Sequence, residues 1–351
     1  NGGAVYADSE SLDVIDCTFE SNLGNKGGAI YVQEATGAIT GSTFTTNIAE
    51  YTGGAIHFST SSEIVLGGSE TENANSFEDN RAGSGSDLYA GAIFATPVDA
   101  RNNNFAGCVQ SDYYIVPQAA FDLTGCQGAL TPITQDVYVS SEFGNDENDG
   151  LTSDTAFKTI RKALKSILAT EAAPVTVHIG LIDYYDSDEA MPLPLLSHVT
   201  MQGSDSVANI YGEGESRIFS ACFTENSTIK GIRLEHGNPG NVNGGALFCD
   251  HAEVVLDGVY FVSNHNNNNG GAVFCKDSTC SFLNCTFWSN TSSNGGAIYS
   301  NFSDIMVNNS RFERNFAVAK GAGLYIKDSD VTMTNATIQQ NQADDSGGGI
   351  Y

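Results

Sequence analysis

Gly27-Gly28-Ala29-Ile30-Tyr31 decides the fold, because it keeps returning. It recurs as Gly2-Gly3-Ala4-Val5-Tyr6, Gly53-Gly54-Ala55-Ile56-His57, Gly244-Gly245-Ala246-Leu247-Phe248 and Gly270-Gly271-Ala272-Val273-Phe274. Further copies are Gly295-Gly296-Ala297-Ile298-Tyr299, Gly321-Ala322-Gly323-Leu324-Tyr325 and Gly347-Gly348-Gly349-Ile350-Tyr351, with a weaker one at Ala90-Gly91-Ala92-Ile93-Phe94. The starts at 2, 27 and 53, and at 244, 270, 295, 321 and 347, are 25 or 26 residues apart, the period of a solenoid. A second motif, Phe-x-x-Asn, keeps a fixed offset: Phe19 with Asn22, Phe44 with Asn47, Phe77 with Asn80, Phe261 with Asn264, Phe287 with Asn290 and Phe312 with Asn315. Ile338 with Asn341 is the same motif without the aromatic ring.

A repeat this short, rich in Gly, Asn, Thr and β-branched residues, is too small for a helical hairpin and suits one coil of a parallel β-helix. Gly supplies the positive φ that the corners need. Neighbouring strand residues face opposite ways, so the aliphatic fourth position is expected inside and the aromatic fifth position, which tolerates His57, outside. The Phe of Phe-x-x-Asn belongs in the core, and its Asn is expected to stack as an amide ladder between coils. Packing is the first reading of these ladders. A sugar-binding strip of outer aromatics is the second. The paired motifs resemble the repeats of chlamydial polymorphic outer membrane proteins over roughly residues 1–100 and 240–351. That resemblance implies a right-handed parallel β-helix displayed outside the cell, often adhesive, and brings no catalytic residues. The membrane-anchoring β-barrel of the chlamydial proteins has no counterpart in this sequence.

The fold class expected is all-β: a right-handed parallel β-helix of about 25–26-residue coils in two segments, with one short capping α-helix near 155–169. Residues 1–130 read as the C-terminal part of a first β-helix, about four coils followed by an irregular cap over about 102–130, where the period is lost. Residues 131–351 read as a second β-helix with an N-terminal cap over about 131–180. There Val137-Tyr138-Val139-Ser140 is a strand, Gly144 to Gly150 a polar turn cluster, and Phe157 to Leu168 has helical spacing with Asp154 as N-cap. Val175-Thr176-Val177-His178-Ile179 is the next strand. This order resembles the entrance of pectate-lyase-like β-helix domains, where the helix plugs the first coil. The sequence starts and stops inside a coil. Either it is an excerpt of a longer protein, or the last coil of one subunit stacks on the first coil of the next. The second arrangement gives a head-to-tail filament with its junction at Gly2, Gly3, Ala4, Val5, Tyr6, Gly347, Gly348, Gly349, Ile350 and Tyr351. No leader peptide is visible, so any leader is expected to have been removed.

The chain has 351 residues and a formal net charge of −27, from 15 basic and 42 acidic residues. That argues against nucleic acid, whose phosphates demand Lys and Arg, and against anionic membrane surfaces. No run of 18 apolar residues exists, so no membrane insertion is expected. Eight cysteines without zinc spacing suggest an oxidising compartment. Cys222, Cys249 and Cys275 are expected to stack in consecutive coils, with one pair bonded and the third joined to Cys280. Cys108 and Cys126 are expected to staple the irregular segment. Cys17 and Cys285 share a repeat position and remain unpaired, and a buried ladder of free thiols is the alternative throughout.

Asn-x-Ser/Thr sequons stand at Asn226, Asn284, Asn290, Asn301, Asn308 and Asn335. They read as glycan acceptors in a secreted eukaryotic protein and as plain corner residues otherwise. Asn145, Glu147 and Asp149 resemble the start of a Ca²⁺ loop, but Ala156 stands where the twelfth-position acid belongs, so a plain turn competes. Otherwise no cofactor or metal is expected. Arg233, Glu235 and His236 lie close together without a matching Asp pair in adjoining coils, and no nucleophile motif appears. The expectation is therefore a non-catalytic extracellular structural protein at the cell surface, whose partner is itself as a head-to-tail homopolymer. An adhesin for glycans or surface receptors is the alternative, and a polysaccharide lyase or hydrolase comes third.

Overall fold

The computed structural model describes residues 2–67, 73–204 and 207–351. They form two compact units, Asn1–Ile133 with Lys165–Leu168, and Thr134–Leu164 with Ala169–Tyr351. Each is a parallel β-solenoid. In the first unit three five-stranded sheets stack coil on coil. In the second the long sheets have eight, seven and six strands, with a further three-stranded sheet. All named strand pairs are parallel, in registers such as Val5↔Ile30, Ile30↔Ile56 and Phe287↔Phe312.

The coil follows from its two motifs. Ile30, Ile56, Leu247, Val273 and Ile298 are fully buried on the glycine-motif strands, and Phe44, Phe261, Phe287 and Phe312 on the strands that follow. Each such side chain contributes about 1.5–3 kcal/mol by leaving water. Their rings stack in line, Phe44 on Phe77 at 5.0 Å and Phe287 on Phe312 at 4.6 Å between centroids. The second Gly of the motif is there for space: a Cβ on Gly28 would fall 2.1 Å from Gly54 O of the next coil. The first is there for conformation, with φ +65° at Gly27.

The Asn of Phe-x-x-Asn forms the expected ladder. Asn47 Nδ2 donates to Asn80 Oδ1 at 3.0 Å, Asn264 Nδ2 to Asn290 Oδ1 at 3.1 Å and Asn290 Nδ2 to Asn315 Oδ1 at 3.0 Å. A second, shorter ladder had no motif to announce it: Asn75 Nδ2 donates to Asn103 Oδ1 at 3.0 Å. Both residues stand two positions before a core Phe, the place held by Ser42 in the preceding coil.

Three expectations change. The weak copy at residues 90–94 is not the fourth motif. Leu88 pairs with Ile56 and Tyr89 with His57, so Gly85-Ser86-Asp87-Leu88-Tyr89 holds that place, while Ile93 is exposed. Asp87 thus occupies the buried Ala position. Within 102–130, expected to be an irregular cap, the two-residue strands Asn104–Phe105, Ile115–Val116, Phe121–Asp122 and Gln127–Gly128 extend all three sheets. The helix, α1, runs only Ile160–Ser166. It starts at Ile160 because the Glu189 carboxylate accepts from Ile160 N at 2.8 Å and Arg161 N at 3.0 Å. Asp154 is not its N-cap but lies in a preceding 3₁₀ turn, Ser153–Thr155. Glu189 ends a four-residue helix, α2, Asp186–Glu189, and burial pushes its carboxyl up to about 7.

Candidate functional site

The outer face of the glycine-motif strands carries the aromatic fifth position. In the first unit the rings stack Tyr6–Tyr31–His57–Tyr89 at 5.2, 4.9 and 5.1 Å. In the second they stack Phe248–Phe274–Tyr299–Tyr325–Tyr351 at 5.6, 5.3, 4.6 and 5.1 Å. The expectation that this position lies open to solvent fails for Tyr31, His57, Tyr89 and Phe274, which are all buried. Each ring covers the faces of its neighbours. His57 also bonds Thr52 Oγ1 through Nδ1 at 2.8 Å, and burial lowers its pKa to about 3, so it is neutral. A sugar stacks on a free ring face. Within the ladders those faces are already taken, and only ring edges and hydroxyls remain.

Beside the second ladder runs a row of side-chain amides. Asn267 Nδ2 donates to Asn241 Oδ1, Asn269 Nδ2 to Asn243 Oδ1 and Asn294 Nδ2 to Asn269 Oδ1, each at 3.1 Å. Asn241 and Asn267 are exposed. The first unit carries a groove of about 780 Å³ whose acidic lining is Glu34, Glu63 and Asp99. Arg101 holds Asp99 below the usual carboxylate range through a bidentate pair, Nε and Nη2 each at 2.8 Å.

Arg233 Nε bonds Glu235 Oε2 at 2.7 Å, and His236 Nε2 lies 3.9 Å from Glu235 Oε1. Two of the calcium candidates bond within the turn. Asn145 Oδ1 accepts from Glu147 N at 3.1 Å, and Asp149 Oδ1 accepts from Leu151 N at 3.0 Å and Thr155 Oγ1 at 2.6 Å. These short-range bonds close the loop.

The sequons divide by burial. Asn226, Asn284 and Asn335 are exposed corner residues with φ near +50°. Asn290 is fully buried inside the amide ladder and offers no acceptor nitrogen to a glycosylating enzyme in the folded chain. Asn301 and Asn308 are half-buried, with their Oδ1 atoms enclosed.

None of the eight cysteines stands in a disulfide in the structure. Cys108 donates to Gln110 Oε1 and Cys126 to Ala100 O, both at 3.0 Å. Cys222 does not stack on Cys249. The register sets Ala221 opposite Cys249 and Cys222 opposite Asp250, because the coil there is 28 residues long while the two cysteines are 27 apart, and a one-residue offset turns a side chain to the other face. Cys249 and Cys275 do stand in register. Together with Cys280 they form a cluster with all three sulfurs within 4.8 Å of one another. The junction residues lie in their coils as ordinary members: Gly3 N bonds Gly27 O, Val5 pairs with Ile30, and Ile350 bridges Leu324.

Residues 142–350 match the model of a family described as protein of unknown function (DUF1565). The chain belongs to the DUF1565 family. The family is of the right-handed β-helix type, and the DUF1565 match covers the second unit from its first turn cluster to the last glycine motif. Residues 16–33, which hold Phe19, Asn22 and Gly27 to Tyr31, match the Chlamydia polymorphic membrane protein repeat. Neither a curated protein nor a solved structure matches the chain. This DUF1565 protein is therefore a right-handed parallel β-helix repeat protein with a repeat of the kind that surface proteins carry. No helix among its described residues is long and apolar enough to cross a membrane.

Proposed function

We propose that this chain is a non-catalytic, extracellular structural protein whose coils join subunit to subunit into a surface filament. One observation carries the reading: the coil is complementary to its own copy. Each coil presents backbone groups, an aliphatic row, a Phe row and an Asn amide at the spacing that the next coil completes, as in Asn264–Asn290–Asn315–Asn341. The contact that builds the solenoid is thus also a contact that two chains can make, and repeating it head-to-tail gives an open fibre. The aromatic stacks run along the same axis and continue across such a contact.

A net charge of −27 opposes lateral association and leaves end-on stacking as the favoured direction. Sedimentation across a concentration series, with electron microscopy of the same samples, tests assembly. Fibres that lengthen with concentration are expected, and a monomeric mass throughout refutes it.

The adhesin reading rests on a different observation, the amide row at Asn241, Asn267, Asn243, Asn269 and Asn294, which offers exposed donors and acceptors at coil spacing. Retention of the soluble chain on a glycan array, lost on Asn267→Ala with Asn241→Ala, would put adhesion first. An unchanged array signal sets it aside.

A further inference from the structure

Cys249, Cys275 and Cys280 are fully buried, and their sulfurs share one small volume of the second unit's core. Two come from different sheets. Cys275 ends the inward row of strand Val273–Lys276, and Cys280 opens the inward row of strand Thr279–Leu283. The corner between the strands turns at Asp277 with φ +47° and aims both side chains at the same point. The sulfurs of Cys275 and Cys280 are 2.9 Å apart, inside the contact distance of two separate sulfur atoms.

The relation of Cys249 to Cys275 is different. They are direct neighbours in parallel register, where side chains keep roughly the 4.8 Å spacing of the strands. A disulfide needs Cβ atoms about 3.8 Å apart. In-register neighbours in a flat parallel sheet are therefore poor partners, whereas two residues converging across a corner are good ones. Cys222 is on the opposite face.

The surroundings favour a neutral product. Phe282 follows Cys280 on the inward row of the same strand, with Leu256 opposite it, and Cys280's own register partners are Val254 and Ile305. Thiolates, and the charged complex they would make with a metal ion, are costly in such a place, while a disulfide brings no charge.

We propose that Cys275 and Cys280 form a disulfide across the corner of one coil, with Cys249 of the preceding coil held against it as a free thiol. The bond forms as the chain folds, by exchange with a disulfide donor such as oxidised glutathione. The two thiols lose two protons and two electrons, one S–S bond forms, and the donor's S–S bond breaks to give two thiols.

The test uses the full chain secreted through an oxidising compartment. It is unfolded without reductant, its thiols are blocked with iodoacetamide, and it is cut with an endoproteinase that cleaves before Asp, then deglycosylated. Cuts before Asp250, Asp257 and Asp277 place the three cysteines on three separate peptides. The expected result is peptide 257–276 joined to peptide 277–303, lighter by two hydrogens than the separate peptides. Fragmentation should place the bond at Cys280 and the blocking group on Cys285, with Cys249 also blocked. Cys249→Ser should leave the joined peptide unchanged, and Cys280→Ser should make Cys275 blockable. A Cys249–Cys275 or Cys249–Cys280 link in the parent chain overturns the proposal. So does blocking of all three thiols, or a native mass that carries a thiophilic metal with all three blockable once it is stripped.

Discussion

Replacing Asn290 by Ala tests the central device of the coil. Its Oδ1 accepts from the Asn264 backbone N at 3.0 Å and from Asn264 Nδ2 at 3.1 Å. Its Nδ2 donates to Phe261 O and Asn315 Oδ1, both at 3.0 Å. The truncation strands both Asn264 donors and removes one donor from each acceptor, although Asn315 Oδ1 keeps the backbone N of residue 290. Asn264 Nδ2 keeps one bond to Leu234 O. A stranded buried group costs about 1–3 kcal/mol, so the sum is about 3–5 kcal/mol. A solenoid opens locally, so the loss is best read by amide hydrogen exchange. Protection around Asn264 and Asn290 should fall by about two to four powers of ten, at about 1.4 kcal/mol per tenfold. Asn341→Ala removes the same chemistry where water reaches the site and should cost only about 1 kcal/mol. Asn290→Asp should cost more than Asn290→Ala, because it sets a carboxylate oxygen against Phe261 O. If Asn290→Ala and Asn341→Ala cost the same, the ladder does not hold the coils as argued.

Burial pushes the Asp87 carboxyl up to about 7. Its protonated form therefore supports the first unit below about pH 4, and that support is lost as pH rises through about 7. Asp87→Asn should flatten this slope in the exchange of residues 85–90 and raise protection at pH 8; an unchanged slope would show that Asp87 does not carry it. Gly271→Ala should be among the most damaging small substitutions, since its Cβ would meet Gly296 O at 2.2 Å and Thr291 O at 2.6 Å. Soluble, fully protected Gly271→Ala protein would refute the close approach. In a eukaryotic secretory host, glycopeptide mapping should find glycans on Asn226, Asn284 and Asn335 and none on Asn290. A glycan on Asn290 would mean modification before the ladder closes.

The coil was legible because two motifs repeat in phase, and only stacking explains a phase kept over so many copies. The interior place of Ile30 followed from strand alternation, and those of Phe44 and Asn47 from the recurrence of Phe-x-x-Asn. Errors arose where resemblance was set above phase. Ala90 to Phe94 looks like the motif, yet Gly85 to Tyr89 holds its place despite an Asp where Ala is usual. The expected stack of three cysteines broke for a related reason: the coil there is 28 residues long, so a spacing of 27 put Cys222 on the other face, and no spacing rule shows that Cys275 and Cys280 converge at a corner. Nor does a sequon carry burial, so Asn290 reads like Asn284 until the ladder is seen. The outer aromatics were placed on the correct side, but their mutual stacking is a property of neighbouring coils and has no signature within one.

The amide ladder has a further consequence for how such a gene can change in length. Asn22 and Asn47 are 25 residues apart, whereas Asn47 and Asn80 are 33 apart, and the bonds between them are alike. The longer coil keeps its strands in register, Ser76↔Thr43 and Phe77↔Phe44, and six of its eight extra residues fall in the sequence between Leu66 and Asn75. Insertions and deletions are thus free at a corner and forbidden within a strand. Whole-coil duplications keep every bond, so both the size of a loop and the number of coils can vary while the architecture stays fixed.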